Sequence, residues 1–326
     1  RYAVQTDNQE MMDYVNTSLT KMAYGGIFDH VGGGFARYSV DDHWHVPHFE
    51  KMLYDNAQLV SLYSKAYLIT KDPLYKDVVY RTIDFVETEL YKDIGAFYSS
   101  LDADSHNEAG ELEEGAFYVW NKEQLTSLLA DDFDLFAKYY NINGYGKWED
   151  DKYHLIRSIS EEDFCIENNI SGSVLEEKLG KWQQLLNQER NKRDKPRLDD
   201  KTLASWNALM LKGYVNAYSV FQEDKFLQMA LKNAYFIQNK MVKEDGGLYR
   251  NFKNGQSNIE AYLEDYATVI DGFISLYEVT LDENWLLSAK QFTDYTFDHF
   301  YDDQSKMFFF TSNKEQGLIS RKIETD

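Results

Sequence analysis

The chain has 326 residues, of which 43% are hydrophobic, and it carries a formal net charge of −21. Such a negative surface repels nucleic acids and anionic membranes, so neither is an expected partner. No apolar run approaches the roughly 20 residues that span a bilayer, and the first residues do not form a secretory signal. The single cysteine, Cys165, makes an internal disulfide impossible, and we expect it to be buried and inert. These features predict a cytoplasmic protein.

Hydrophobic spacing predicts a largely helical chain, and the low proline count of 3 suits long helices. Ser171 or Ser173 is suited to cap the start of the helix predicted over residues 173–190. Pro47 is expected in the first turn of a helix, with His48 and Glu50 at its mouth. The helices predicted outside the repeated part of the chain cover residues 7–24, 121–142 and 173–190. A further helix, which leads into the second repeat, is predicted to begin at Thr202.

Three segments of the chain repeat one pattern, beginning at Tyr54, Ser205 and Glu264. Each predicts an apolar helix with a small residue near its start, a polar turn, a second amphipathic helix and a short aromatic strand. A helical hairpin of this kind cannot bury its apolar face alone, so neighbours must stack into an open solenoid or a ring. The turns that end each unit favour the ring, and we predict one domain over residues 1–326. The small residues are Ala57, Ala208 and Ala267, and the aromatic residues that open the second helices are Tyr75, Phe226 and Trp285.

The first segment with the composition of a site runs from Gly25 to Leu59. Its glycines hold a loop in conformations that other residues resist, and no Lys-Ser/Thr follows them to make a phosphate loop. The alternative is a structural connection with a solvated, charged rim. The candidate residues of this segment are Arg37, Tyr38, Trp44, His45, His48, Glu50 and Asp55.

A second segment, Phe97 to Trp120, contains two groups of carboxylates beside strand-like runs. Asp102 and Asp104 follow the first run, and Glu114 precedes the second, GAFYVW. Carboxylates on paired strands can lie close enough to act as a general acid and a general base. A calcium loop of the EF-hand type is rejected, because Asn107 stands where that loop needs glycine. The alternative is a solvated acidic loop, and we predict neither a metal nor a cofactor.

The third segment begins at Arg197 and leads into the second repeat. Asp199 and Asp200 precede its first helix, where they would also serve as helix caps. Trp206 and Asn207 lie one or two turns further on, where we expect them to face a cavity. Glu264 and Asp265 hold the matching place in the third repeat, and in a ring such helix starts converge on one mouth.

These three segments together resemble the signatures of the YyaL-type family, whose vertebrate members are called spermatogenesis-associated proteins. The segments are GGGFARYSVDDHWHVPHFEKMLYDNAQL, SSLDADSHNEAGELEEGAFYVW and DDKTLASWNALM. The resemblance implies an all-α fold, an (α/α)6 toroid of helical hairpins with short rim β-hairpins, of the six-hairpin glycosidase type. It also implies that the toroid is incomplete here, and that the thioredoxin-like domain of the parent protein is a partner. The last hairpins are expected to be absent.

A carbohydrate-active protein that binds a small sugar is the leading hypothesis. A glycosidase needs one protonated and one ionised carboxyl group on opposite sides of a sugar ring, whereas a sugar epimerase of the N-acylglucosamine 2-epimerase type would use His45 and His48. The alternative is a non-catalytic or chaperone-like module that serves a redox domain, in which the acids would pair with Arg or Lys. The expected catalytic residues are Asp102, Asp104, Asp199, Asp200, Glu50 and His48, and the expected substrate-binding residues are Arg37, Tyr38, Trp44, His45, Asp55, Glu114, Trp206 and Asn207.

Overall fold

The computed structural model describes residues 2–149, 151–315 and 320–324 of the chain. A π-helical turn spans Val86–Leu90, and a 3₁₀ turn spans Ala130–Asp132. In chain order the helices are α1 (Tyr2–Gln5), α2 (Gln9–Tyr24), α3 (Leu53–Thr70), α4 (Pro73–Phe85), α5 (Lys122–Leu129), α6 (Phe133–Tyr139), α7 (Glu161–Asn168), α8 (Gly172–Arg190), α9 (Ala204–Phe221), α10 (Asp224–Lys240), α11 (Leu263–Thr280) and α12 (Glu283–Phe300).

The strands are two or three residues long, so the chain has short strand pairs rather than a large sheet. They are β1 (Tyr38–Ser39), β2 (Pro47–His48), β3 (Lys51–Met52), β4 (Tyr91–Lys92), β5 (Ala96–Phe97), β6 (Ser100–Leu101), β7 (Asp104–His106), β8 (Leu112–Glu114), β9 (Trp120–Asn121), β10 (Lys152–Tyr153), β11 (Leu198–Asp199), β12 (Thr202–Leu203), β13 (Asn251–Phe252), β14 (Tyr301–Asp302) and β15 (Met307–Phe308).

The chain folds into two compact units, each built from several segments. The first unit comprises the described residues of Arg1–Met52, Tyr80–Phe85 and Leu101–Arg197. The second comprises those of Leu53–Val79, Val86–Ser100 and Leu198–Asp326. A single domain over residues 1–326 stays a prediction.

The second unit contains the repeated hairpins. Helix α9 contacts α3 and α11, while α10 packs on α9 and α12 packs on α11. The first helices of the repeats approach closely because small residues line their contacts. A Cβ added to Gly213 would lie 3.1 Å from the carbonyl oxygen of Ala57, and one added to Gly272 would lie 3.2 Å from that of Ala208. Gly213 and Gly272 hold equivalent positions in two repeats, so the same small residue permits both approaches.

The predicted aromatic residues of the second helices are buried. Tyr75, Phe226 and Trp285 are each at most 2% exposed, because they fill the space between the two helices of a hairpin. Short antiparallel pairs then follow these helices, for example β4 with β5 and β14 with β15. The short strands that the repeat predicts are therefore present.

The first unit has its own apolar core, in which α5, α6, α7 and α8 surround Trp182 and Phe136. Ser171 caps α8, since its hydroxyl accepts a hydrogen bond from the amide of Val174 at 3.3 Å. The helix predicted over 121–142 is interrupted. Ala130 has a φ of +47°, which ends α5 before α6 begins, and α6 ends at Tyr139.

Other predicted boundaries were wrong because strand pairing or turns displaced them. Pro47 does not begin a helix but pairs with Ser39 in the β1–β2 hairpin, and α3 begins only at Leu53. The helix expected from Thr202 begins at Ala204, because β12 pairs with β13 first. The run GAFYVW is a turn up to its last residue, since Gly115 has a φ of +75° and its carbonyl accepts hydrogen bonds from two later amides.

Helix α7 was not predicted. Its start is capped by Ser160, which accepts from the amide of Asp163 at 3.0 Å. This helix carries Cys165, which is half-buried rather than fully buried as predicted. The helix was missed because its many acidic residues mask the apolar spacing.

Candidate functional site

The β1–β2 hairpin positions the first candidate residues. Its turn is closed by Asp41, whose carboxylate accepts hydrogen bonds from the amides of His43, His45 and Val46 at 2.7, 3.1 and 2.6 Å. Burial alone would raise the pKa of Asp41, but these backbone donors hold it below its ordinary value. The hairpin register places Tyr38 opposite His48.

His48 lies between two carboxylates. Its Nδ1 is 2.7 Å from Oε1 of Glu114, and the same oxygen accepts a hydrogen bond from the amide of Phe49 at 3.3 Å. Its Nε2 is 3.8 Å from Oε2 of Glu50. The side chains of His48, Glu50 and Glu114 are 26%, 24% and 44% exposed, so a ligand can reach them.

Arg37 and Tyr38 complete this group. The guanidinium of Arg37 lies 3.2 Å from Oε2 of Glu50, and the ring of Tyr38 stacks on the imidazole of His48 with centroids 4.9 Å apart. We call these five residues, Arg37, Tyr38, His48, Glu50 and Glu114, the His48 cluster. All five were candidates from the sequence. The cluster offers a histidine, two carboxylates, a guanidinium and a phenol within one surface region.

Below Glu50, the chain is fixed by a buried group of charges. Lys51 donates hydrogen bonds to the carboxylate of Asp29 and the carbonyl of Gly33, both at 2.8 Å. Arg190 binds the same carboxylate with contacts of 2.9 and 2.8 Å. Because adjacent residues of an extended chain point to opposite sides, Lys51 anchors the strand inside while Glu50 faces the cluster.

Glycine is required in the loop that approaches this group. Gly33 has a φ of +75°, and a Cβ added there would collide with the backbone carbonyl of Arg81. A residue with a side chain would be strained in that conformation and would also have no room. The glycine-rich run is therefore a structural device that holds the base of the His48 cluster.

Asp104 and Asp102 have different surroundings. Asp104 pairs with Glu114 across the β7–β8 hairpin, and residues directly opposite in such a pair have neighbouring side chains on one face. Asp102 lies before β7, and its carboxylate is 3.2 Å from the guanidinium of Arg197. Asp104 therefore lies next to a member of the His48 cluster, whereas Asp102 forms an ion pair.

His45 and Trp44 lie in the turn of the β1–β2 hairpin. The ring of His45 stacks on Tyr145 with centroids 5.4 Å apart, and lies 4.9 Å from the ring of His154. Burial lowers the pKa of both histidines, that of His154 to about 4. Trp44 has a φ of +60°. His45 and His48 thus contact separate groups, and their use as the acid and base of an epimerase stays a prediction.

In the second unit, the predicted acids pair with lysines. Asp199 lies 3.0 Å from Lys201, and Asp200 lies 2.6 Å from Lys253. The hydrogen bond from Lys253 holds the pKa of Asp200 below its ordinary value. The carboxylate of Asp200 is therefore kept ionised.

Asn207 was expected to face a cavity, and this expectation was wrong. The side chain is fully buried. It accepts a hydrogen bond from the amide of Phe97 at 2.9 Å, donates to the carbonyls of Phe97 and Leu203, and contacts Asn233 at 3.1 Å. Asn207 thus links the backbone at the ends of β5 and β12.

The remaining candidates of the second unit are Trp206 and Asp55. Trp206 is half-buried and packs against Tyr54, with ring centroids 4.8 Å apart. Asp55 lies half-buried in the first turn of α3. In the matching place of the third repeat, Asp265 is fully buried and lies 3.0 Å from Arg250, which also contacts Glu264 at 2.6 Å. Burial raises the pKa of Asp265 although Arg250 opposes the change.

Sequence reasoning missed two residues that shape this region, His154 and Tyr145. Both contact His45, and neither lies in a motif that the sequence singled out. A histidine in an apolar run, as in YHLI, was the available signal, because such a residue is often buried and bound to backbone.

Within residues 2–149, 151–315 and 320–324, no group of three or more His, Cys, Asp or Glu residues has the arrangement of a metal site. No helix in these same ranges is long and apolar enough to cross a membrane.

Comparison with known proteins relates this chain to one family. Human spermatogenesis-associated protein 20 is 36% identical over 90% of the chain, and its mouse counterpart is 35% identical over 92%. The chain is similar to the spermatogenesis-associated proteins along at least 90% of its length. The resemblance predicted from the three motifs is thereby confirmed. The chain spans 41% and 42% of the length of these two relatives. The model of the β-L-arabinofuranosidase GH127 catalytic-domain family also matches, over residues 175–325.

Solved structures establish the fold class. A GH76 α-mannanase from Bacteroides thetaiotaomicron superposes with a TM-score of 0.54, at 11% identity, over 97% of this chain and 60% of the enzyme. A family 76 glycoside hydrolase from a bovine strain of the same species gives a TM-score of 0.51, at 12% identity, over 95% of this chain and 48% of the enzyme. The chain therefore has the all-α, (α/α)6 toroid type of fold found in carbohydrate-active enzymes, as predicted.

Proposed function

We propose that this chain carries the sugar-binding site of a carbohydrate-active enzyme, and that the His48 cluster is its centre. The observation that carries the proposal is the imidazole of His48, held between the carboxylates of Glu114 and Glu50 and stacked on Tyr38. A partly exposed group of this composition can donate and accept the protons of a sugar reaction. The fold shared with glycoside hydrolases supports the same conclusion.

Each member of the cluster has a role in this proposal. Glu114 binds Nδ1 of His48 and fixes the orientation of the ring, so Nε2 is the nitrogen that exchanges a proton with a sugar hydroxyl. The carboxylate of Glu50, held by Arg37 at 3.2 Å, stabilises positive charge on the imidazole or on the sugar ring. Tyr38 provides an aromatic face, which suits the apolar side of a sugar ring.

The family comparisons suggest which sugars to test first. The GH127 model is named for β-L-arabinofuranosidase, and it matches residues 175–325, a range that does not include His48 or Glu114. The GH76 structure is an α-mannanase. We therefore propose aryl β-L-arabinofuranosides and α-mannosides as the first substrates.

The decisive experiment compares two histidine variants from the same hairpin. His48→Ala is expected to lower kcat/KM on the responsive glycoside by about 100-fold or more, the usual contribution of general acid–base catalysis. His43→Ala is the matched control, because the His43 side chain is 75% exposed and forms a surface pair with Asp42, which is 89% exposed. Its activity should stay within about twofold of the parent, as surface pairs contribute little. Equal activity of both variants would contradict the role of His48.

A ligand screen tests the broader claim that a sugar binds at all. A sugar that binds only the folded state must raise the melting temperature. Mono- and disaccharides, amino sugars and uronic acids are compared, and a shift that His48→Ala removes and His43→Ala keeps supports the site. If no sugar shifts the melting temperature and no glycoside is cleaved, the proposal fails.

A non-catalytic module is the second candidate, and one observation favours it. Asp102, Asp199 and Asp200 are each paired with an arginine or lysine, as expected of a scaffold whose charges serve stability and solubility. Under this alternative the thioredoxin-like domain of the parent protein is the partner, and the chain binds that domain with no sugar present. This partner and the cytoplasmic location stay predictions.

A further inference from the structure

A cleft of about 670 Å³ in the first unit is separate from the His48 cluster. Both sites use the β7–β8 hairpin, but they use different residues of it. Glu114 binds His48, whereas the adjacent Glu113 forms an ion pair with Lys152 and lines the cleft. Neighbouring strand residues point to opposite faces, so the cleft lies on the other face of the hairpin.

Most charges that line the cleft are neutralised by each other. Lys152 pairs with Glu113, and Lys192 lies 2.6 Å from Glu189. Arg193 differs, because no carboxylate of the described residues binds it. Its Nη1 donates instead to the backbone carbonyls of Ala116, Phe117 and Val119, at 3.4, 3.0 and 2.6 Å. The guanidinium thus has no direct carboxylate partner among the described residues, although Glu189 and Glu108 are near enough to act on its charge.

Trp120 places an unused donor beside Arg193. Its side chain is 1% exposed and lines the cleft. The guanidinium carbon of Arg193 lies 4.0 Å from the centre of its ring. The indole Nε1 has no hydrogen-bond partner in the described part of the chain. A buried donor without a partner is costly in free energy, so this N–H indicates an acceptor that the protein itself does not supply.

We propose that this cleft binds a sugar acid. One carboxylate can accept hydrogen bonds from the fork of Arg193 and from the indole N–H of Trp120, because the two groups are adjacent. The hydroxyl groups of the ligand then meet the amides of Asn121 and Gln124, which also line the cleft. The volume lies within the roughly 300–1,000 Å³ of small-molecule sites.

Other anions fit this site less well. Glu108, Glu189 and Asp194 also line the cleft, and their charges repel a phosphate or sulfate that carries two negative charges. A sugar acid has one negative charge and several hydroxyls, and those hydroxyls can donate hydrogen bonds to the same carboxylates. The carboxylates therefore select for hydroxyl-rich ligands rather than for charge alone.

The indole N–H signals of the whole chain provide the test. The six tryptophans give separate indole signals in a ¹H–¹⁵N spectrum, and Trp120→Phe identifies the signal of Trp120 by its loss. Titration with D-glucuronate is expected to shift that signal, while D-glucose at the same concentrations leaves it in place. The remaining five signals report whether Trp120→Phe is folded. His48→Ala should show the same Trp120 shift as the parent, which separates this cleft from the proposed sugar site.

Calorimetry gives a reading that does not depend on Trp120→Phe. Arg193→Lys keeps the positive charge but presents one ammonium in place of a planar fork, and glucuronate should bind about tenfold more weakly or worse. An unmoved Trp120 signal at saturating glucuronate would overturn the proposal. So would equal responses to glucuronate and glucose, or an unchanged dissociation constant in Arg193→Lys.

Discussion

Asp29 is a buried carboxylate of the first unit that contacts both Lys51 and Arg190. It accepts a hydrogen bond from Lys51 at 2.8 Å and two from Arg190 at 2.9 and 2.8 Å. The side chains of Asp29, Lys51 and Arg190 are 9%, 3% and 6% exposed, so water does not compensate for a lost charge. Removing one partner of a buried ion pair costs about 3–5 kcal/mol, because the remaining charge is left without compensation. Asp29→Asn removes this carboxylate charge from beside the buried Arg190 and Lys51 at nearly constant volume, and we expect the free energy of unfolding to fall by about 3–5 kcal/mol.

Urea denaturation at pH 7 measures this loss, with Asp42→Asn as the matched control. The Asp42 side chain is 89% exposed and lies beside His43, and exposed pairs contribute about 0–1 kcal/mol. Burial alone would raise the pKa of Asp29, but Arg190 and Lys51 hold it well below its ordinary value of 3.8. The stability that Asp29 contributes is therefore complete above pH 3.8 and declines below it. A loss of less than about 1 kcal/mol at pH 7 would refute the reasoning, because it would mean that the two cations do not need this carboxylate.

Two further predictions concern stability. Burial lowers the pKa of His30 to about 3 and that of His154 to about 4, so both are neutral when folded and protonate more easily when unfolded. The free energy of unfolding should fall below pH 6.5 by up to about 1.4 kcal/mol per pH unit for each of these histidines. His30→Gln should reduce the slope by up to that amount in urea titrations between pH 7 and 5. An unchanged slope would contradict the assignment. Asn207→Ala should lower the free energy of unfolding by about 2–4 kcal/mol, because it leaves the amide and carbonyl of Phe97 unpaired, while the exposed Asn258→Ala stays within about 0.5 kcal/mol of the parent.

The repeated hairpins were predictable because their signals are local. Apolar spacing marks each helix, and the aromatic residues Tyr75, Phe226 and Trp285 mark where the second helix of each pair meets the first. Gly213 and Gly272, at equivalent positions of two repeats, indicate that the helices approach closely there, because a larger side chain would not fit. The folded structure keeps the helices that these local patterns predict, because each hairpin buries its apolar face against the next.

Boundaries and side-chain partners were less predictable because they depend on residues far apart in the sequence. Pro47 suits the start of a helix, but pairing with Ser39 makes it a strand residue. Glu114 and His48 were both candidates from the sequence, yet they are 66 residues apart and meet only because β7 and β8 form a hairpin. The sequence suggested that Asn207 faces a cavity. Its side chain instead binds backbone groups at the ends of strands.

The partners of the acidic residues decide which of them can carry proton chemistry. A carboxylate held by lysine stays ionised at neutral pH: Lys253 lowers the pKa of Asp200, and Lys152 lowers that of Glu113. Such groups can stabilise a positive charge but cannot donate a proton. Glu114 differs from its neighbour Glu113 because its partner is an imidazole, and histidine gains and loses a proton near neutral pH. We therefore propose that Glu114 and His48 carry the acid–base chemistry, while the catalytic roles of Asp102, Asp199 and Asp200 stay predictions.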